Sequence, residues 1–120
     1  MKRDLELIRK LVLQVEAIPT GYVKEEIEIE GYSAEQIGYH SYLMIDAGLA
    51  KGVDVTTLGC TSPNWRILHL TSGGHDFADA ARDESFWRKA TVLVRDKGGA
   101  VTLDLMKQIL IGLIKHSLDL

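Results

Sequence analysis

Ser33 and Gly48 bracket one segment of this 120-residue chain, and that bracket constrains the fold more than any other feature. Ser33 stands three residues before Gln36, the spacing at which a hydroxyl and an amide side chain cap each other's backbone N–H groups. Tyr32 and Ile37 are placed to close as a hydrophobic staple around that start. Gly48 lacks a Cβ and suits a left-handed stop, after which Leu49 folds back on the last turn. These signals predict a helix from Ala34 to about Ala47. Its inward face is Ile37, His40, Met44 and Ala47, with Leu43 beside them.

The flanks of this helix read as four helices, a lone strand and a hairpin. Residues 4–18 place Leu5, Ile8, Leu11, Val12 and Val15 at the three-and-four spacing of an amphipathic helix, with Asp4 as its cap. Pro19 and Gly21 end it. Val23 to Glu30 then alternates, with Ile27 and Ile29 on one side and Glu26, Glu28 and Glu30 on the other. That pattern predicts a short, half-exposed strand. Two further strands are expected at Ala50–Leu58 and Trp65–Leu70, around a turn rich in Gly59, Ser62, Pro63 and Asn64. Thr71 or Ser72 caps the next helix, containing Phe77, Ala78, Ala80 and Ala81, although Gly73 and Gly74 near its start disfavour helix. A polar break at Arg82 to Glu84 precedes a short helix with Phe86, Trp87, Ala90 and Leu93 or Val94. Gly98 and Gly99 stop it, and Thr102 caps a last helix reaching about Leu118.

A helix running directly into a two-stranded ribbon is the core of a winged helix. The fold class expected is therefore α+β, mainly helical: a single winged-helix-like domain over 1–120 with additional C-terminal helices. Core and wing occupy 1–81, and 85–118 form a helical extension that serves as a dimerising region. Residues 22–32 read as extended, where a full helix-turn-helix carries another helix. The last helix is apolar over a wide arc, from Leu103, Met106, Leu110 and Leu113 to Leu105, Ile109, Ile111 and Ile114, and this points to a homodimer.

Composition removes several functions. The longest apolar stretch, Ile109 to Ile114, is interrupted by Gly112 and flanked by lysines, so no membrane span is expected. The N-terminus lacks the apolar block of a signal peptide, and a cytoplasmic location follows. Cys60 is the single cysteine and has no second thiol for a disulfide or a shared metal. His40 lies on the inward helical face and reads as a core residue. His69, His75 and Asp76 lack the paired-histidine spacing of a helical zinc site, and His116 sits where a helix end favours a cation. No nucleophile elbow and no phosphate loop occurs. No catalytic residue, cofactor, metal or small-molecule substrate is therefore expected.

Charge distribution separates the two binding functions that remain. The net charge is −3, and between Lys24 and Asp46 one lysine faces six carboxylates. The candidate contacts are Glu35, Gln36, Tyr39 and Tyr42 on the central helix, with Lys51 and Arg66 on the ribbon. An interaction module for an unidentified protein partner accommodates the acidic helix and its tyrosines, which favour interfaces. The alternative is a duplex-DNA-binding regulator. Gln36 would then read adenine edges, and Lys2, Arg3, Lys51 and Arg66 would supply the phosphate contacts.

Several segments carry a resemblance: Met1-Lys-Arg-Asp-Leu-Glu-Leu-Ile-Arg-Lys10, Gly31-Tyr-Ser-Ala-Glu-Gln-Ile-Gly-Tyr-His40, Asp46-Ala-Gly-Leu49, Leu70-Thr-Ser-Gly-Gly-His-Asp-Phe77 and Trp87-Arg-Lys89. Together they resemble a bacterial and phage family known as domain of unknown function 2513, over nearly the whole chain. That resemblance implies no particular activity. A broader similarity is to winged-helix repressors of the multiple-antibiotic-resistance type, whose recognition helix also ends in Ala-Gly-Leu. By position it implies a recognition helix at Ser33–Ala47, a wing at Ala50–Leu70 and a dimerising part at 85–118.

Overall fold

The computed structural model describes residues 1–96 and 103–118. Its elements are α1 (Leu5–Glu16), α2 (Ala34–Asp46), β1 (Ala50–Asp54), β2 (Trp65–Leu70), α3 (Ser72–Arg82), α4 (Glu84–Asp96) and α5 (Leu103–Leu118). The fold is thus mainly helical with one two-stranded antiparallel sheet. The chain divides into two compact units, Met1–His75 and Asp76–Leu120, the boundary falling within α3. No helix among the described residues is long and apolar enough to cross a membrane. The stops expected at Gly98 and Gly99 and the cap expected at Thr102 lie outside the described residues.

In the first unit, both ends of α2 are closed by the local chemistry that its sequence announces. Gln36 N–H donates to Ser33 Oγ at 3.1 Å, and Ser33 N–H donates to Gln36 Oε1 at 2.9 Å, completing a reciprocal capping box. At the far end Gly48 takes φ +79°, Gly48 N–H bonds Ile45 O, and Leu49 N–H bonds Met44 O at 2.9 Å. This pair of bonds is a Schellman stop, and it satisfies carbonyls that the helix leaves open. The helix buries Ile37, Gly38, His40, Ser41 and Met44, whereas Ala47 is only half-buried.

α1 is capped by Asp4, whose Oδ1 accepts from Glu6 N–H at 2.9 Å and Leu7 N–H at 3.1 Å. Its buried stripe is Leu7, Ile8, Leu11, Val12 and Val15. Leu7 therefore replaces the expected Leu5, which sits half-exposed in the open first turn. His40 joins the two helices. It is 1% exposed, accepts at Nε2 from Asp4 N–H at 2.8 Å, and faces Gln36 O through Nδ1 at 2.8 Å. A carbonyl only accepts, so Nδ1 carries the proton and the ring is neutral with both nitrogens used.

The expected strand at 23–30 does not form. Val23 N–H donates to Leu68 O at 2.8 Å, but no ladder continues from it. The alternation is real as burial, with Ile27 and Ile29 half-buried and the intervening glutamates exposed, yet no neighbouring strand receives its backbone. β1 and β2 pair with Ala50↔Leu70, Lys51↔His69, Gly52↔Ile67, Val53↔Arg66 and Asp54↔Trp65. Leu68 is left without an opposite residue, a bulge whose carbonyl is the one that meets Val23. β1 stops at Asp54, short of the expected Leu58, because Asp54 Oδ1 turns back to accept Thr56 N–H at 2.9 Å. That hydrogen bonding, from the Thr56 hydroxyl and then its amide, holds the Asp54 carboxyl below its usual range.

Thr71 caps α3 and ties three elements at one point. Its Oγ1 accepts from Gly74 N–H at 3.0 Å and donates to Gly48 O at 2.6 Å, while its own N–H donates to Leu49 O at 3.0 Å. The same junction explains the second glycine of the Gly73-Gly74 pair. A Cβ at Gly74 would collide with the Leu49 carbonyl, so close approach outweighs the helix cost of glycine.

In the second unit Phe77, Ala78, Ala80 and Ala81 are buried, and Phe77 meets Trp87 edge-on at 6.3 Å. Asp83 caps α4 through Phe86 N–H at 3.0 Å, so the polar break at 82–84 is a single residue between helices. α4 packs with α5, which buries Leu103, Met106 and Leu110 at three-and-four spacing. Leu105 is 40% exposed, and Ile109, Ile111, Leu113 and Ile114 are half-exposed.

The His40 geometry makes a stability prediction. His40→Ala removes a fully packed ring and leaves the Asp4 amide without its acceptor, which should cost roughly 1–3 kcal/mol in a urea titration. An unchanged midpoint would mean that the α1–α2 clamp contributes nothing.

Candidate interaction surface

The outer side of α2 and the hairpin beside it hold the residues expected to make contacts. Glu35 is exposed in the first turn of α2, where a carboxylate suits the helix dipole. Its Oε1 accepts from Thr61 Oγ1 at 2.8 Å and from Ser62 Oγ at 3.1 Å, so it fastens the hairpin loop to the helix. Gln36 contributes its side-chain carbonyl to the capping box. Glu35 Oε1 and Gln36 Oε1 are thus both engaged within the chain.

Tyr39 and Tyr42 are half-buried and belong to a row of rings. Tyr39 lies 5.9 Å from Tyr42, and Tyr42 lies 5.9 Å from Trp65 on β2, each pair tilted. The row thus continues from helix to sheet through Trp65, which the sequence pattern alone does not connect to the tyrosines. Beyond it the hairpin exposes Val53 and Val55, and Leu58 stands fully exposed near the tip.

The two cations of the ribbon are not brought into one cluster with the helix. Lys51 is exposed at the Ala50 end of β1, opposite His69. Arg66 lies farther along, opposite Val53, and its Nη2 donates to Lys24 O at 3.2 Å. The guanidinium therefore steadies the extended segment that follows α1. His69 faces Tyr22 edge-on at 5.4 Å, and its Nδ1 is 2.8 Å from Leu70 O. Among the described residues no group of three His, Cys, Asp or Glu side chains is arranged to hold a metal.

Close approaches set by glycine bring hairpin and helix together. A Cβ at Gly38 would strike the Asn64 side chain, and one at Gly52 would strike both Arg66 O and Ile45. Asn64 O in turn accepts from Val55 N–H at 2.9 Å and from Thr56 Oγ1 at 3.2 Å. Cys60, in the loop, receives Thr57 N–H at 3.4 Å and lies 3.5 Å from Thr57 Oγ1. Those Thr57 contacts, the hydroxyl first, hold its thiol below the ordinary range.

Between residues 23–27, the first half of α2 and the hairpin lies a hollow of about 280 Å³. Val23, Ile27, Ile37, Val55, Trp65 and Ile67 line it, with Glu25 and Glu26 on the outer wall. A second hollow, of about 590 Å³, follows residues 26–32 and shares Glu26, Ile27, Ala34 and Ile37 with the first. Tyr32 closes its far end, and the Lys10 ammonium lies 5.4 Å from the centre of that ring. Burial, and then the Asp4 carboxylate beside it, push the Tyr32 phenol up. Sequence reasoning missed these hollows because it assigned 23–30 to a short, half-exposed strand. The signal available was the absence of any second strand of matching length before α2.

Comparison with known proteins gives a family. No solved structure matches the chain. A Haemophilus influenzae protein (strain Rd), named "Uncharacterized protein", is 29% identical over 117 residues, covering 91% of this chain and 92% of that relative. Residues 2–100 match the family described as "Hypothetical protein (DUF2513)", and the chain therefore belongs to the DUF2513 family.

Proposed function

We propose that this protein is a non-enzymatic, cytoplasmic interaction module that binds another protein through α2 and the hairpin. The observation that carries this reading is the internal use of the polar groups on that surface. Glu35 holds the loop, Gln36 closes the cap, and Arg66 supports Lys24 O. Besides the exposed Lys51, what remains to meet a partner is a row of rings, Tyr39, Tyr42 and Trp65, and an apolar hairpin tip at Val53, Val55 and Leu58. Aromatic and apolar groups of this kind are enriched at the core of protein interfaces.

One observation favours the alternative, a DNA-binding regulator on a winged-helix-like scaffold. α2 runs through the Gly48 stop directly into an antiparallel ribbon, which is the order of a recognition helix and wing. The electrostatics weigh against it. α2 has no lysine or arginine, and it follows a segment carrying Glu25, Glu26, Glu28 and Glu30. Non-specific affinity scales with the phosphates neutralised, so Lys2, Arg3, Lys51 and Arg66 would first have to offset that repulsion.

Self-association belongs to the same reading. In the second unit Val92 and Leu93 of α4 are exposed, as is Leu105 of α5, and the half-exposed Ile109, Leu113 and Ile114 widen the apolar arc. An exposed apolar patch of that breadth is best covered by a second copy, giving a homodimer.

Two measurements test these readings. Anisotropy of a labelled random duplex at about 50 and 150 mM salt should show weak binding at most near the higher value. Submicromolar affinity with a steep salt slope, weakened by Lys51→Ala or Arg66→Ala, would make the protein a DNA binder instead. Light scattering at high micromolar concentration should return twice the mass of one chain, and the mass of a single chain there would remove the dimer.

A further inference from the structure

The segment between α1 and α2 is mostly exposed, with Ile27 and Ile29 half-buried, and its backbone is almost unpaired. From Lys24 to Glu30, Lys24 O accepts from Arg66, Glu28 O accepts from Gln14 Nε2 at 3.4 Å, and Ile29 O accepts from Tyr32 N–H at 3.2 Å. Their amide N–H groups have no backbone acceptor among the described residues. Val23 starts a pairing with Leu68 that the next residues abandon, and the first hollow opens where the segment leaves β2. Extended, solvated backbone beside an apolar hollow is the arrangement to which an added peptide strand can bond.

Charge decides what that strand must be. Glu25 and Glu26 wall the first hollow, and Glu26, Glu28 and Glu30 wall the second. All four are exposed, and none of their carboxylates has an ion-pair or hydrogen-bond partner among the described residues. Inside the wall stand Ile27, Ile37, Trp65 and Ile67. An extended ligand has side chains alternating between two directions, so one set would enter the apolar hollow and the other would meet the glutamates.

We infer that the groove between residues 23–30 and α2 is a docking site for an extended basic segment of a partner protein, with apolar and Lys/Arg residues in alternation. This deepens the interaction reading and rests on it. It gives the acidic run a purpose other than solvation, since unpaired carboxylates around an apolar slot attract and orient a cationic chain. The groove adjoins the ring row and shares Trp65 with it.

The test uses the full chain and the heptapeptide Lys-Val-Lys-Val-Lys-Val-Lys, with amide shifts and affinity as readouts. Shifts should concentrate at residues 23–30, 34–41 and 65–67. The double variant Glu26→Lys/Glu28→Lys should weaken that peptide by about tenfold or more and should bind Glu-Val-Glu-Val-Glu-Val-Glu in its place. No shifts at about 1 mM peptide would overturn the proposal, as would equal binding of a Lys–Gly heptapeptide or equal binding by the double variant. Peptide failure with no binding of duplex DNA removes the groove and leaves the wider interaction reading standing. Duplex DNA shifting these same amides would remove both.

Discussion

The Thr71 hydroxyl is the point on which the first unit depends. It donates to Gly48 O and accepts from Gly74 N–H, while the Thr71 amide donates to Leu49 O. One residue thereby fixes the end of α2, the entry into β1, the exit from β2 and the start of α3. Backbone groups at helix ends lack intrahelical partners, and a turn that serves four element ends at once has many to pair. Gly74 completes the knot by lying against the Leu49 carbonyl where any side chain would intrude. His40 does the corresponding work at the other end of α2, accepting from the Asp4 amide and so holding α1's first turn. Between these two fixtures α2 has little freedom to shift.

How much of this was legible in the sequence depends on the range of each interaction. The α2 bounds were legible because Ser33, Gln36, Gly48 and Leu49 act on neighbours within a turn. His40 was legible as core from its place between Ile37 and Met44, and Thr71 from its place before a helix. The segment 23–30 was misread because alternation of Ile and Glu reports half-burial and says nothing about a partner strand. β1 ended early because Asp54 found Thr56, a side-chain event that hydrophobic pattern does not weigh. Glycines at 38, 52 and 74 carry reasons that lie elsewhere in the chain, at Asn64, at Ile45 and Arg66, and at Leu49. The candidate contacts show the same limit. Glu35 looked free to contact a partner, and its partners Thr61 and Ser62 stand 26 and 27 residues away.

The structure thus combines a tightly fastened frame with one loosely fastened wall. Capping, the Schellman stop and the Thr71 knot tie down the start of α1, both ends of α2 and the exit of β2. The segment after α1 is held mainly at its ends, by Val23 on Leu68 and by Tyr32 on Ile29 and near Asp4, with Arg66 reaching across to Lys24. Its glutamates repel one another along the wall, and nothing among the described residues neutralises them. A firm frame with open valence at its edge suits the proposed docking role, because a rigid site loses less entropy when a ligand docks.

Native-state amide exchange on the isolated protein tests this division most directly. The account predicts that amides of α2, Leu49 and Thr71 exchange only through global opening, whereas those of residues 24–30 exchange almost as fast as an unfolded chain. Protection of residues 24–30 equal to that of β2 would contradict it, since the wall would then already be a paired strand with no backbone left for a partner.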